Sequence, residues 1–210
     1  MSLQSHLLEP LDPIKPLSTD QIPVELAQEA SVILRQRFNL TSFRQNQLEA
    51  ITAALAGKDV FVLMPTGGGK SLCYQLPAVS KHGERKRGIT FIFSPLISLM
   101  YDQVVALEAK DIYAVRWNSE VDGKDVWSRI RSLTRPDLVY LTPEKLKESR
   151  SLQHLLSELY NAGNIARFVV DEAHCISTWG QDFREAVSRS LAGSIVSDVL
   201  TLVSISRSPS

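Results

Sequence analysis

The sequence predicts an α/β domain with a mostly parallel sheet and helices on both faces. Three observations predict it. Short, nearly all-apolar runs alternate with helix-periodic segments from residue 59 to residue 170, the pattern of parallel strands buried on both sides. The first of those runs leads straight into a glycine cluster and then a helix start. Finally, 210 residues with 44% hydrophobic and 22% charged side chains suffice for one well-cored domain, and exclude a repeat array, a collagen-like chain or a largely disordered one.

Residues 1–22 hold Pro10, Pro13 and Pro16 among polar neighbours and read as a flexible arm. From Val24 to Phe38, Leu26, Ala30, Ile33 and Leu34 recur at helical spacing, with Thr19 or Asp20 near a cap position and Pro23 in the first turn, so a helical lead-in is expected. A second helix is expected from about Arg44 to Ala56, stopped by Gly57. Asp59 to Leu63 has strand composition, and a helix begins at Lys70. The alternation continues with strands at Ile89 to Phe93, Ile112 to Trp117, Leu138 to Leu141 and Arg167 to Val170. Between them lie helices at Pro95 to Ala109, Val121 to Leu133 and Leu152 to Tyr160. The basic run Lys81 to Arg87 reads as a solvated connection rather than a nucleic-acid patch. Residues 187–210 are rich in serine, with one apolar run from Ile195 to Val203, and are expected to supply either one more strand or nothing ordered.

Lys and Arg together number 23, as do Asp and Glu, so the net charge advertises no partner and local motifs must decide. Cys73 and Cys175 lack the spaced companions of a zinc site or a disulfide framework, so no zinc is expected. No basic and apolar leader opens the chain, and no stretch approaches eighteen apolar residues, so an intracellular protein without a membrane partner is expected.

Met64-Pro-Thr-Gly-Gly-Gly-Lys-Ser71 stands between a strand and a helix, the context a phosphate-binding loop requires. Thr66, Gly67, Gly68 and Gly69 would let backbone N–H groups converge on phosphate oxygens. Lys70 can reach the β and γ phosphates, and the Ser71 hydroxyl can ligate Mg²⁺. Met64 occupies the place where the strict pattern has glycine. A hundred residues on, Phe168-Val-Val-Asp171-Glu172-Ala-His174 ends a buried strand with two carboxylates and a histidine. Alone, Asp-Glu there reads as a helix cap; with Lys70 and Ser71 it reads as the metal-holding and water-orienting pair of a nucleotide hydrolase.

Together these segments resemble the superfamily 2 helicases, and their flanks resemble the RecQ family of DNA helicases. The flanks are Phe43-Arg-Gln-Asn-Gln47, Ser94-Pro-Leu-Ile-Ser-Leu-Met-Tyr-Asp-Gln-Val104, Tyr140-Leu-Thr-Pro-Glu144 and Cys175-Ile-Ser-Thr-Trp-Gly-Gln-Asp-Phe-Arg184. The resemblance covers about residues 24–186 and implies a single RecA-like P-loop domain over 23–186, followed by a divergent Ser-rich tail over 187–210. It implies ATP and Mg²⁺ as cofactors, with Arg44 and Gln47 reading adenine, and Leu40 where many relatives carry a stacking aromatic. It assigns phosphates to Lys70, metal to Ser71 and Asp171, water to Glu172, and coupling to a second motor domain to His174. Ser94, Pro95, Thr142 and Pro143 would grip the DNA backbone. Trp179, Phe183 and Arg184 would belong to an aromatic loop stacking on bases, with core packing as the alternative for Trp179 and Phe183.

The implied activity is the first motor half of an ATP-dependent 3′-to-5′ DNA helicase acting on single-stranded or partly unwound DNA, in the nucleus, with DNA-repair proteins as partners. A complete motor needs an arginine from a second RecA-like domain, which the sequence does not show after Ala186; the tail has the composition that a shifted reading frame or alternative exon would add. The alternative is therefore an ATP- and DNA-binding fragment without unwinding activity. A small P-loop kinase would have no use for the Asp171-to-His174 box or the Trp179 loop.

Overall fold

The computed structural model describes residues 23–65, 67–80, 88–118, 121, 123–172 and 200–207. Their elements run α1 (Val24–Phe38), α2 (Gln47–Leu55), β1 (Val60–Pro65), α3 (Leu72–Val79), β2 (Ile89–Phe93), α4 (Ile97–Glu108), β3 (Ala114–Trp117), α5 (Gly123–Arg131), β4 (Leu138–Leu141), α6 (Pro143–Glu148), α7 (Arg150–Asn161), β5 (Ile165–Val170) and β6 (Leu200–Arg207). The six strands form one sheet in the order β1-β6-β5-β2-β4-β3. Every pairing is parallel.

Side-chain alternation along the buried strands feeds two cores. Ile92 of β2, Leu138 and Tyr140 of β4 and Val169 of β5 face a core shared with α1, α2, α3 and α4, where Leu34, Ile51, Leu76 and Met100 pack. The intervening residues, Phe91 and Phe93, Val139 and Leu141, Phe168 and Val170, face a core completed by α5, α6 and α7 through Ile130, Leu146, Leu152 and Leu156. Because β2, β4 and β5 are buried along their whole length, they read as nearly all-apolar runs, with Thr90 and Arg167 as buried polar exceptions.

Where element bounds differ from the sequence expectation, local geometry explains it. In α1, Leu26, Ala30, Leu34 and Phe38 form the buried stripe, and Asn39 closes the helix at φ 55 with its N–H on the Leu34 carbonyl. Pro23 holds the N-cap place without a side-chain bond, while Thr19 and Asp20 lie outside the described residues. The second helix starts at Gln47 rather than Arg44 because Asn46 is left-handed, φ 64. The third strand starts at Ala114 because Asp111 turns at φ 55 and Ile112 N–H returns to the Leu107 carbonyl. Helix α6 was not expected: it has six residues, with Pro143 in its first turn and the Thr142 hydroxyl accepting from Lys145 N–H at 3.2 Å. Replacing Thr142 by alanine should cost about 1 kcal/mol, the usual worth of such a cap, measured as a lowered urea midpoint.

Of the two outcomes left open for the serine-rich end, a strand is what forms. It lies further on than the apolar run Ile195 to Val203 suggests, at Leu200–Arg207, and runs between β1 and β5.

Three ionisable groups are buried along α3 and β4. Burial pushes the Cys73 thiol from 9.0 up to about 12 and raises the Tyr74 and Tyr140 phenols as well. These groups keep their protons in the folded chain after the unfolded chain has begun to lose them. Their stabilising contribution is thus complete below about pH 9 and is lost as pH rises through the folded values. Urea midpoints should fall steadily from pH 9 to pH 11; a constant midpoint would contradict the assignment.

Candidate nucleotide-binding site

The glycine loop leaves the carboxyl end of β1 as a tight turn. Gly68 N–H donates to the Pro65 carbonyl at 2.9 Å, with Gly67 at φ 76. Leu72 N–H returns to the Gly69 carbonyl at 3.2 Å and Cys73 N–H to that of Lys70 at 2.9 Å, so the helix is entered through short turns and begins at Leu72 rather than Lys70. Space requires glycine at two positions, and at Gly69 conformation requires it too. A Cβ on Gly68 would stand 2.8 Å from the Pro65 carbonyl oxygen, and one on Gly69, which has φ 85, would stand 2.5 Å from Gln47 Nε2. Lys70 Nζ reaches back to the Met64 carbonyl at 3.5 Å, and the Ser71 hydroxyl does not cap its own helix. Thr66 lies outside the described residues.

Arg44 and Gln47 meet this loop directly, a contact that sequence reasoning missed. Gln47 is 3% exposed. Its Nε2 donates to the Gly69 carbonyl at 3.0 Å, and its Oε1 accepts from Arg44 N–H at 2.7 Å. The Arg44 guanidinium donates to the Gly67 carbonyl. The expected adenine readers therefore also fix the shape of the phosphate loop. An amide has two N–H groups and two lone pairs, so each end of Gln47 retains capacity for a base edge. Leu40, at the stacking position, is 45% exposed.

The acidic pair stands at the carboxyl end of β5. Asp171 is 6% exposed; its N–H donates to the Phe93 carbonyl at 2.9 Å, and its Oδ1 accepts from Glu172 N–H at 3.1 Å. Glu172 sits at φ 53, and the other non-glycine residues with positive φ among those described are Asn39, Asn46 and Asp111. Asn and Asp tolerate that region and Glu does so less readily, so the fold holds Glu172 in place at a conformational cost, as functional sites often do. One carboxylate and one hydroxyl, as on Asp171 and Ser71, would suit a Mg²⁺ ion that drew its remaining ligands from phosphates and water. His174, Trp179, Phe183 and Arg184 lie outside the described residues.

Ser94 and Thr142 follow β2 and β4 at the same sheet edge, with Ser94 N–H on the Leu141 carbonyl at 3.0 Å. Ser94 is 1% exposed, Thr142 is occupied as a helix cap, Pro143 is buried and Pro95 is half-buried. All the described site residues thus gather at the carboxyl ends of β1, β5, β2 and β4, the edge where open α/β sheets bind ligands. Among the described residues no helix is long and apolar enough to cross a membrane.

Residues 44–202 match the DEAD/DEAH box helicase family. The chain belongs to that family. Its curated relatives include the ATP-dependent helicase SGS1 of Saccharomyces cerevisiae, 52% identical over 153 residues, which span 72% of this chain and 10% of that protein. The RecQ-like DNA helicase BLM of Xenopus laevis is 46% identical over 78% of this chain and 12% of its own length. The ATP-dependent DNA helicase Q1 of Rattus norvegicus is 43% identical over 72% of this chain and 24% of its own. The similarity is to the motor region of RecQ-family helicases, and this chain spans between about a tenth and a quarter of the length of these relatives.

Solved structures support the same fold. The DUF1998 helicase MrfA bound to DNA and AMPPNP superposes with a TM-score of 0.66 at 18% identity, over 91% of this chain and 27% of that one. The DEAD-box helicase Mss116 bound to ssRNA and UDP-BeF gives 0.62 at 19% identity, over 88% and 38%. This is the RecA-like α/β arrangement expected from the resemblance.

Proposed function

We propose that this chain is the first motor domain of an ATP-dependent 3′-to-5′ DNA helicase, with residues 23–186 as its ATP-binding unit. The observation that carries the reading is the joining of Arg44 and Gln47 to the Gly67 and Gly69 carbonyls, which makes a base-reading segment and a phosphate loop into one site. Bound ATP supplies a phosphoanhydride for water to attack, and Mg²⁺ neutralises charge on its phosphates. Gln47 recognises adenine by its remaining donor and acceptor. Lys70 and the loop N–H groups hold phosphate oxygens, Ser71 and Asp171 hold the metal, and Glu172 orients the attacking water and accepts its proton.

In this reading His174 carries the state of the nucleotide to the second motor domain, whose arginine completes the charge stabilisation. Ser94, Pro95, Thr142 and Pro143 shape the surface along which the DNA strand lies, and Trp179, Phe183 and Arg184 engage bases and phosphate. Because Ser94 and Thr142 are buried, they act mainly by fixing the backbone of that edge. In the same reading the protein works on DNA in the nucleus, in repair and recombination, in line with its similarity to a RecQ-like DNA helicase of the frog.

Phosphate release from ATP with and without single-stranded DNA tests the motor reading. DNA-stimulated release is expected once a second motor domain supplies its arginine. Release indifferent to DNA would contradict a DNA motor, and ATP binding without release would mean a binding fragment.

A further inference from the structure

Behind the phosphate loop, α3 carries two consecutive polar side chains into the core. Gln75 Nε2 donates to Gln103 Oε1 on α4 at 2.6 Å and to the Tyr140 hydroxyl on β4 at 3.3 Å. Tyr74 packs edge to face on Tyr140, ring centroids 6.5 Å apart, and is wholly buried. Its hydroxyl has no partner at hydrogen-bonding geometry among the described residues, although the Tyr140 and Ser71 hydroxyls and the Asp171 carboxylate all bear on it. A buried hydroxyl left without a bond is costly, and such a group calls for an explanation.

Donor and acceptor capacity supplies one. The Tyr140 oxygen accepts from Gln75 and keeps its own proton to give; the Tyr74 oxygen can receive that proton's bond and give its own to Asp171. The chain of bonds then runs in one sense, from Gln75 through Tyr140 and Tyr74 to the carboxylate. In the structure it is incomplete at the Tyr74 hydroxyl. Its far end holds α4, which follows Ser94 and Pro95, and β4, which runs into Thr142 and Pro143.

We propose that Tyr74, Tyr140, Gln75 and Gln103 form a positioning relay by which occupancy of the Ser71 and Asp171 end of the nucleotide site is felt at α4 and at the turn after β4. The relay rests on the nucleotide-site reading above and deepens it. None of its members touches the reacting atoms.

Amide hydrogen exchange on the whole chain tests it, with and without Mg²⁺ and a non-hydrolysable ATP analogue. In the wild type, exchange should slow both in the loop around 67–71 and across 97–108, the latter by about fivefold, the low end of ordinary site-to-site coupling. In Tyr74→Phe and Gln75→Met the loop should still respond while 97–108 no longer does. Tyr74→Phe removes only an unbonded hydroxyl and should fold at least as stably as the wild type, which guards against a Gln75→Met variant that fails to fold. An undiminished response of 97–108 in Tyr74→Phe, or none there in a wild type whose loop responds, would overturn the relay. A wild type in which the loop does not respond either would overturn the nucleotide site itself, and the relay with it.

Discussion

Replacing Lys70 by alanine is expected to weaken binding of a non-hydrolysable ATP analogue by at least about 100-fold, equivalent to about 2.7 kcal/mol. In the proposed site the ammonium is the cation that meets the β and γ phosphates, and charge-assisted bonds of this kind are about twice as strong as neutral ones. Lys70 Nζ also bonds the Met64 carbonyl at 3.5 Å, so any change in the unfolding midpoint is read apart from affinity. Titration of wild type and variant, each checked by thermal unfolding, separates the two effects. Equal affinity in the two proteins would remove Lys70 from the site.

Replacing Phe91 by alanine should have the largest effect on stability. Phe91 is fully buried in the middle of β2, and its ring lies 6.0 Å from that of Phe168, which in turn is 5.8 Å from Phe93. Truncating such a residue leaves a cavity among side chains that cannot all collapse, at about 3–5 kcal/mol. For a domain of this size that corresponds to a melting point lowered by about 10 °C. Because Phe91 faces the core formed with α5, α6 and α7, opposite the face covered by α3, nucleotide affinity measured well below the melting point should be unchanged. A loss of affinity without a loss of stability would contradict this division of the two faces.

Much of the fold was legible because its strands are buried on both sides. Ile89 to Phe93 and Leu138 to Leu141 are bounded in the structure as they read in the sequence, since nearly all-apolar runs flanked by polar residues leave little choice. The starts of some elements were less legible. They turn on single left-handed residues such as Asn46 and Asp111, whose φ is decided by tertiary packing as much as by residue type. Helix α6 is too short to show a period. The place of β6 between β1 and β5 depends on pairings that no local pattern shows, the one with β1 spanning most of the chain.

The site divides in the same way. The phosphate loop and the acidic pair are local signals, each carried by a few adjacent residues, so Gly67 to Ser71 and Asp171 and Glu172 could be named at once. The clamp of Gln47 and Arg44 on the loop joins residues more than twenty positions apart and leaves no local signature. Nor does the sequence set Tyr74 and Gln75 apart from ordinary helical residues. Only the packing of α3 against α4 and β4 turns them into a buried polar group.

Central to the account is that the Gln47 segment and the glycine loop form one adenine-specific nucleotide site, and an equilibrium titration tests it most directly. Non-hydrolysable ATP and GTP analogues would be titrated with Mg²⁺ into the wild type and Gln47→Ala. A pocket built to hydrogen-bond one base rejects a base with the opposite pattern. The wild type is therefore expected to prefer the ATP analogue by at least about tenfold, and Gln47→Ala to bind both analogues alike. Equal binding of the two analogues by the wild type, or a preference that survives in Gln47→Ala, would contradict it.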